Sequence, residues 1–220
     1  MNKFIRARLL NPLQRQNFHH AWRRSCRVSG FFAKALTGRA AAGAYVVFPL
    51  VALAGWAILI TGAAGRPWLL LESLILFIAL LFIAAFDALY FLIPGRCLLF
   101  LTFVDVAHEF LSGAGNLTQH AAAALAGYIA FRLTDQAYQY FRHEPGLGQG
   151  DARLLAVAGL WVGFDGLASC VVYAVISALV SVVIMLRRAP PLHARTAIPF
   201  GPHLACGFWL VWTVGPIAIV

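Results

Sequence analysis

The stretch from Trp68 to Gly95, WLLLESLILFIALLFIAAFDALYFLIPG, decides how the rest of the chain is read. Up to Ala88 its ionisable side chains are Glu72 and Asp87, and the run is long enough to cross a bilayer core, which takes roughly 20 predominantly apolar residues in a helix. Pro94 ends the run, because the residue before a proline is pushed out of the helical region. Similar runs cover 44–62, 97–113, 117–135, 152–166, 167–187 and 200–220. The chain is therefore predicted to be an all-α polytopic transmembrane helix bundle of about six to seven spans, seven by direct count. Arg66-Pro67, Ser112 to Asn116 (SGAGN) and Arg187 to Pro191 (RRAPP) supply turn chemistry between runs.

Composition agrees. The 220 residues are 61% hydrophobic and 11% charged, whereas a soluble domain carries about a quarter charged residues. Two parts are expected: a basic amphipathic arm over 1–43, cytoplasmic or interfacial, and a membrane-embedded domain over 44–220. Residues 1–39 hold nine of the seventeen basic residues and no acid, with Phe18, Trp22, Ser25, Ser29, Phe32 and Leu36 at helical spacing. The net charge of +9 lies beside apolar spans, where anionic lipid headgroups explain it, so membrane lipids rather than nucleic acid are the expected partners. The first apolar run begins near Ala44, too late for a secretory signal peptide; an Arg-rich, acid-free N-terminus also fits an organelle transit peptide. Cys26, Cys97, Cys170 and Cys206 form no CxxC pair and are read as free thiols.

Lys and Arg accumulate in cytoplasmic loops, so the arm is placed inside. Seven spans then put Leu92–Arg96, Tyr138–Arg153 and Arg187–Pro199 inside as well. These loops carry Arg96, Arg142, Arg153, Arg187, Arg188 and Arg195, while the outside loops carry Arg66. Charge bias and span count agree, and the C-terminus falls outside.

A carboxylate within hydrocarbon is costly, so an intramembrane acid marks a functional candidate. Asp87 lies near the cytoplasmic end of the second run, and Asp151 opens the fifth after Gly146 to Gly150 (GLGQG). The topology gives both the same depth. Gly146, Gly148 and Gly150 allow close backbone approach. Two carboxylates held together in a poorly solvated site share one proton, which is what an aspartyl peptidase needs: the ionised member activates water and the protonated member polarises the peptide carbonyl. No metal or cofactor is required. Taken singly, each residue has a plainer reading, Asp87 as a helix-boundary cap and Asp151 as an N-terminal acid favoured by the helix dipole.

Three ordered blocks carry a more specific signal. They are Asp87 followed by Pro94 within FDALYFLIPG, Gly148-Gln149-Gly150-Asp151 (GQGD) with its apolar continuation ARLLAVAGLWVG, and Ile198 to Pro202 (IPFGP). Together, from about residue 70 onward, they resemble the type IV prepilin peptidase family of membrane aspartyl proteases. The resemblance implies that Asp87 and Asp151 are catalytic, with Pro94, Gly148, Gly150, Arg153, Pro199, Gly201 and Pro202 in supporting loops. It further implies prepilin or pseudopilin substrates, whose short basic leader is removed at the cytoplasmic face of a bacterial inner membrane. Longer members of the family carry two CxxC pairs and methylate the new N-terminus; no such pairs occur here, and methyltransferase activity is not expected. Arg153 stands where the family often has Lys, and the basic arm has no counterpart in the pattern.

The remaining polar residues are weighed separately. Asp105, His108, Glu109 and Ser112 share one helical face that should point into the bundle; a hydrogen-bonded packing face is expected there, with a second polar, proton or metal site as the alternative. Glu72, Asp135, Glu144 and Asp165 lie near span ends and are expected to be solvated. His19-His20, His143, His193 and His203 form no metal spacing. His203 is expected near the site in a packing or hydrogen-bonding role, and Gly127 with nearby alanines to allow close helix packing. Two other functions fit parts of the pattern: a transporter or channel subunit using Asp105 and Glu109, and a silent relative that binds pilin-like helices.

Overall fold

The computed structural model of the chain describes residues 44–62, 67–113, 116–142, 148–188 and 199–217. The basic arm over 1–43, with its expected helix, lies outside them, as do His143, Glu144, Gly146, His193, Arg195 and Ile198. Among the described residues all regular structure is helical: α1 (Ala44–Gly62), α2 (Pro67–Tyr90), α3 (Gly95–Ser112), α4 (Leu117–Arg142), α5 (Gln149–Arg188) and α6 (Gly201–Val214). Two helical runs, 68–90 and 149–184, are long and apolar enough to cross a membrane.

The second of these is not straight. Gly163 has φ 65° and ψ −169°, a conformation that only glycine adopts readily, so α5 consists of two arms, 149–162 and 164–188. Their relative direction follows from Gly127 on α4. A Cβ placed there would lie 3.3 Å from the Leu155 carbonyl oxygen and 3.1 Å from the Leu167 side chain. Those two residues would be roughly 18 Å apart along a straight helix. The chain therefore folds back at Gly163, and both arms pack on α4. Two runs over 152–166 and 167–187 were expected; the reversal falls at Gly163, earlier than the expected boundary, because one glycine makes the turn where a polar loop would otherwise be needed.

Close approach holds these helices together. In a bilayer, packing rather than water exclusion drives association, and small residues bring backbones near. A Cβ at Gly159 would sit 2.8 Å from the Ala123 carbonyl oxygen on α4, and one at Gly207 on α6 would overlap the Cys170 carbonyl oxygen on α5. Helix α6 is the central element, packed by α1, α2 and α5, with Leu204, Ala205, Phe208 and Trp209 fully buried. The Trp209 ring meets Trp56 of α1 at 5.5 Å and Phe77 of α2 at 5.0 Å between centroids, inside the favourable range for aromatic pairs.

Several expectations are corrected. Helix α4 continues to Arg142 instead of ending at 135, and α6 stops at Val214, where Gly215 turns to φ 94°, instead of running to 220. Asp135 is buried, accepting a hydrogen bond from Gln139 at 2.8 Å and pairing with Arg132 at 3.4 Å. Glu72 is also largely enclosed, its side chain 14% exposed, and Asp165 alone of the three described acids is exposed as expected. Position near a span end fixes depth, but the neighbouring helices decide solvation. Cys97, Cys170 and Cys206 are free thiols as expected, and Cys26 lies outside the described residues.

Candidate active site

Asp87 sits in the last turn of α2, and the helix closes just after it. The Phe91 amide donates to the Asp87 carbonyl at 2.7 Å, Phe91 takes φ 52°, and Pro94 in extended conformation caps α3. A positive φ is unusual for a bulky residue and is held here by the tight turn between two helices. Asp151 lies in the first turn of α5, where the helix dipole favours an acid.

Both carboxylates are buried, 6% exposed at Asp87 and 8% at Asp151, and both line one cavity of about 400 Å³. They are close enough for the charge of one to bear on the other. Each is held by a glycine amide: Gly201 N–H donates to Asp87 Oδ2 at 3.0 Å, and Gly148 N–H donates to Asp151 Oδ2 at 3.2 Å. The second bond is local, so the plain reading of Asp151 as a helix-terminal acid also holds. The first joins residues far apart in sequence and ties α6 to the end of α2.

Of the seven expected supporting residues, Gly148, Gly150 and Arg153 line this cavity, and Pro94, Pro199, Gly201 and Pro202 do not. Gly148, Gly150 and Arg153 come from the start of α5, and a Cβ at Gly150 would press on the Ile93 side chain at 3.0 Å, so the glycine loop packs against the 91–94 turn. Pro94 positions α3, while Pro199, Gly201 and Pro202, all buried, bring the start of α6 behind Asp87. Proline in the first turn is well suited to a helix start. His203 is buried and paired with Ser177 Oγ at 3.0 Å, the hydrogen-bonding role expected of it.

Phe91, Leu92 and Ile93 also line the cavity, adding apolar surface to that of the carboxylates. They lie inside the Asp87 to Pro94 interval, but nothing in their spacing separates lining residues from span residues. Among the described residues, no group of three or more His, Cys, Asp or Glu side chains is arranged to hold a metal directly.

Comparison with known proteins bears on the same segments. The model of the type IV leader peptidase family matches residues 74–185, a little over half of the chain, including both aspartates. The chain is 32% identical over 149 residues to a protein of Pectobacterium carotovorum subsp. carotovorum named prepilin leader peptidase/N-methyltransferase, a match covering 66% of this chain and 53% of that one. Proteins of the same name from Aeromonas hydrophila and Neisseria gonorrhoeae are 30% and 28% identical, covering 74% and 68% of this chain and 56% and 50% of theirs. The chain thus spans about half the length of the curated relatives it matches. No solved structure matches it significantly.

Proposed function

The chain belongs to the type IV leader peptidase family, and from that we propose that it is a membrane-embedded aspartic endopeptidase that removes the short basic leader of prepilins or pseudopilins. Asp87 and Asp151 are its catalytic pair. The ionised carboxylate takes a proton from water, the water attacks the scissile carbonyl, and the protonated carboxyl polarises the carbonyl oxygen and then protonates the departing amine. Because the two groups share a proton, they titrate as a pair, and neither is fixed as the base. The observation that carries this reading is the juxtaposition of two buried carboxylates on one cavity, each oriented by a glycine amide.

The protein is a multi-pass protein of a bacterial inner membrane with six to seven spans and a cytoplasmic N-terminus. The fold-back at Gly163 supports the larger count, since it turns α5 into two crossings. It also brings the end of α5 back toward the face where α6 starts beside Asp87. The cavity then opens at the cytoplasmic boundary, where a substrate presents a basic leader followed by an apolar helix. Arg153 at its rim and the apolar turn of Phe91, Leu92 and Ile93 divide the cavity between charge and hydrocarbon. The basic arm over 1–43 contacts anionic lipid.

Co-expression with a prepilin tests the proposal, reading loss of the leader by mass. The intact chain should process the substrate, while Asp87→Asn and Asp151→Asn should each insert normally and leave it uncut. Processing that survives both substitutions would remove the pair from the mechanism.

A further inference from the structure

A second group of ionisable side chains lies at the other end of the bundle. Glu72 of α2, Asp105, His108 and Glu109 of α3, and Trp161 and Trp212 surround a cavity of about 90 Å³, with His120 of α4 behind Glu109. The charges pair unevenly. His108 Nε2 lies 3.4 Å from Glu72 Oε1, and His120 Nδ1, itself buried without a hydrogen bond, lies 3.9 Å from Glu109 Oε1, so an imidazole stands beside each of two carboxylates. Asp105 has no such partner. It is 6% exposed, its Oδ2 is buried without a hydrogen bond, and so is Oε2 of Glu109. The indole donors are committed elsewhere, Trp161 N–H to the Leu101 carbonyl and Trp212 N–H to Ser73 Oγ.

A buried carboxylate oxygen without a donor is costly, and here two such oxygens belong to residues lining one small cavity, of which Asp105 also lacks an imidazole partner. Even with both imidazoles protonated, three carboxylates leave one negative charge uncompensated. We propose that this cavity binds a single small monovalent cation, an alkali ion, between Asp105 and Glu109. Carboxylate oxygens are hard ligands suited to such ions. Two carboxylates supply too few ligands to replace the water around such an ion, so it keeps part of its water shell. The volume accommodates that, because a water occupies about 30 Å³. His108, with 41% of its side chain exposed, is the least enclosed of the ionisable side chains lining the cavity. This site makes no use of Asp87 or Asp151, and its test does not involve proteolysis.

The test is the thermal midpoint of the full chain in detergent at fixed pH and ionic strength, with choline chloride replaced stepwise by NaCl or KCl. The midpoint should rise saturably, by about 5 °C or more at a hundredfold excess over Kd. Asp105→Asn should remove this response and be at least as stable as the wild-type chain in choline, while Asp165→Asn at an exposed acid should keep it. If Asp105→Asn does not fold, Glu109→Gln is read in the same way. Equal midpoints in choline, sodium and potassium would overturn the proposal. So would a midpoint that responds to pH but to neither ion, since that would place a proton on Asp105.

Discussion

At Gly201 a single added methyl would meet the carboxyl group proposed for catalysis. A Cβ there would lie 2.6 Å from Oδ2, 2.8 Å from Cγ and 3.0 Å from Cβ of Asp87, so the whole side chain, and not its tip alone, would have to shift. At Gly148 the corresponding Cβ would meet Oδ2 of Asp151 at 2.9 Å but Cγ only at 3.7 Å, and a rotation of the carboxyl relieves it. Misplacing a catalytic group by about 1 Å can cost a hundredfold in rate. Gly201→Ala is therefore expected to lower leader removal by about 10²-fold and Gly148→Ala by much less. Gly95→Ala, where nothing lies within 4 Å, should leave it near the wild-type value. Initial cleavage rates of the three variants, at matched amounts of inserted protein, check this order. Both aspartates and both glycine blocks were legible in the sequence as motifs. The amide of Gly201 on the carboxylate of Asp87 was not, because spacing reports neighbours along one helix and this bond crosses from α6 to α2. Glu72 and Asp135 were misread because their burial is set by the helices packed against them, which position along one run does not report.

Among the elements, α5 departs furthest from expectation, and the departure rests on one residue. The lengths of the apolar runs required a break within 149–188, but Gly159, Gly163 and Gly166 all lie near it, and nothing in composition selects among them. Their surroundings distinguish them. Gly159 is needed for space, with α4 backbone atoms 2.8 to 2.9 Å from its would-be Cβ, whereas Gly163 is needed for conformation, since its nearest atoms, in the His120 ring, are 3.4 Å away. Gly163→Ala should thus cost about 1–3 kcal/mol through backbone strain, with no steric relief available from a smaller neighbour. Gly159→Ala should cost about 1–3 kcal/mol by forcing α4 from α5. The two mechanisms separate on combination with His120→Ala, which should leave the Gly163→Ala penalty unchanged. Thermal midpoints of the single and double variants in detergent measure it, and a penalty that disappears with the His120 ring would mean that contact, not φ, sets the requirement.

On the scale of the molecule, α2 joins two polar sites with an apolar interior between them. Glu72 and Asp87 are separated by roughly 22 Å of helix at 1.5 Å per residue, and Leu76, Leu80 and Ile83 between them are fully buried. The helical class and the order of the runs were legible from apolar length and loop charge; which helix occupies the centre was not, since α6 is no more apolar in sequence than its neighbours and becomes central through Gly207 and Trp209. If the bundle lies across the inner membrane as proposed, the turn between α2 and α3 faces the cytoplasm and the α3–α4 turn faces outward. Gly95 and Asn116 are exposed at these two ends and can each carry a single cysteine in a chain whose native cysteines are changed to serine. A membrane-impermeant maleimide applied to intact cells with a permeabilised outer membrane should label Asn116→Cys, and should reach Gly95→Cys only after lysis. The opposite pattern would turn the chain over. It would place Asp87 and Asp151 on the face that a basic leader does not reach before translocation, and the peptidase reading would then fail on geometry even with both carboxylates intact.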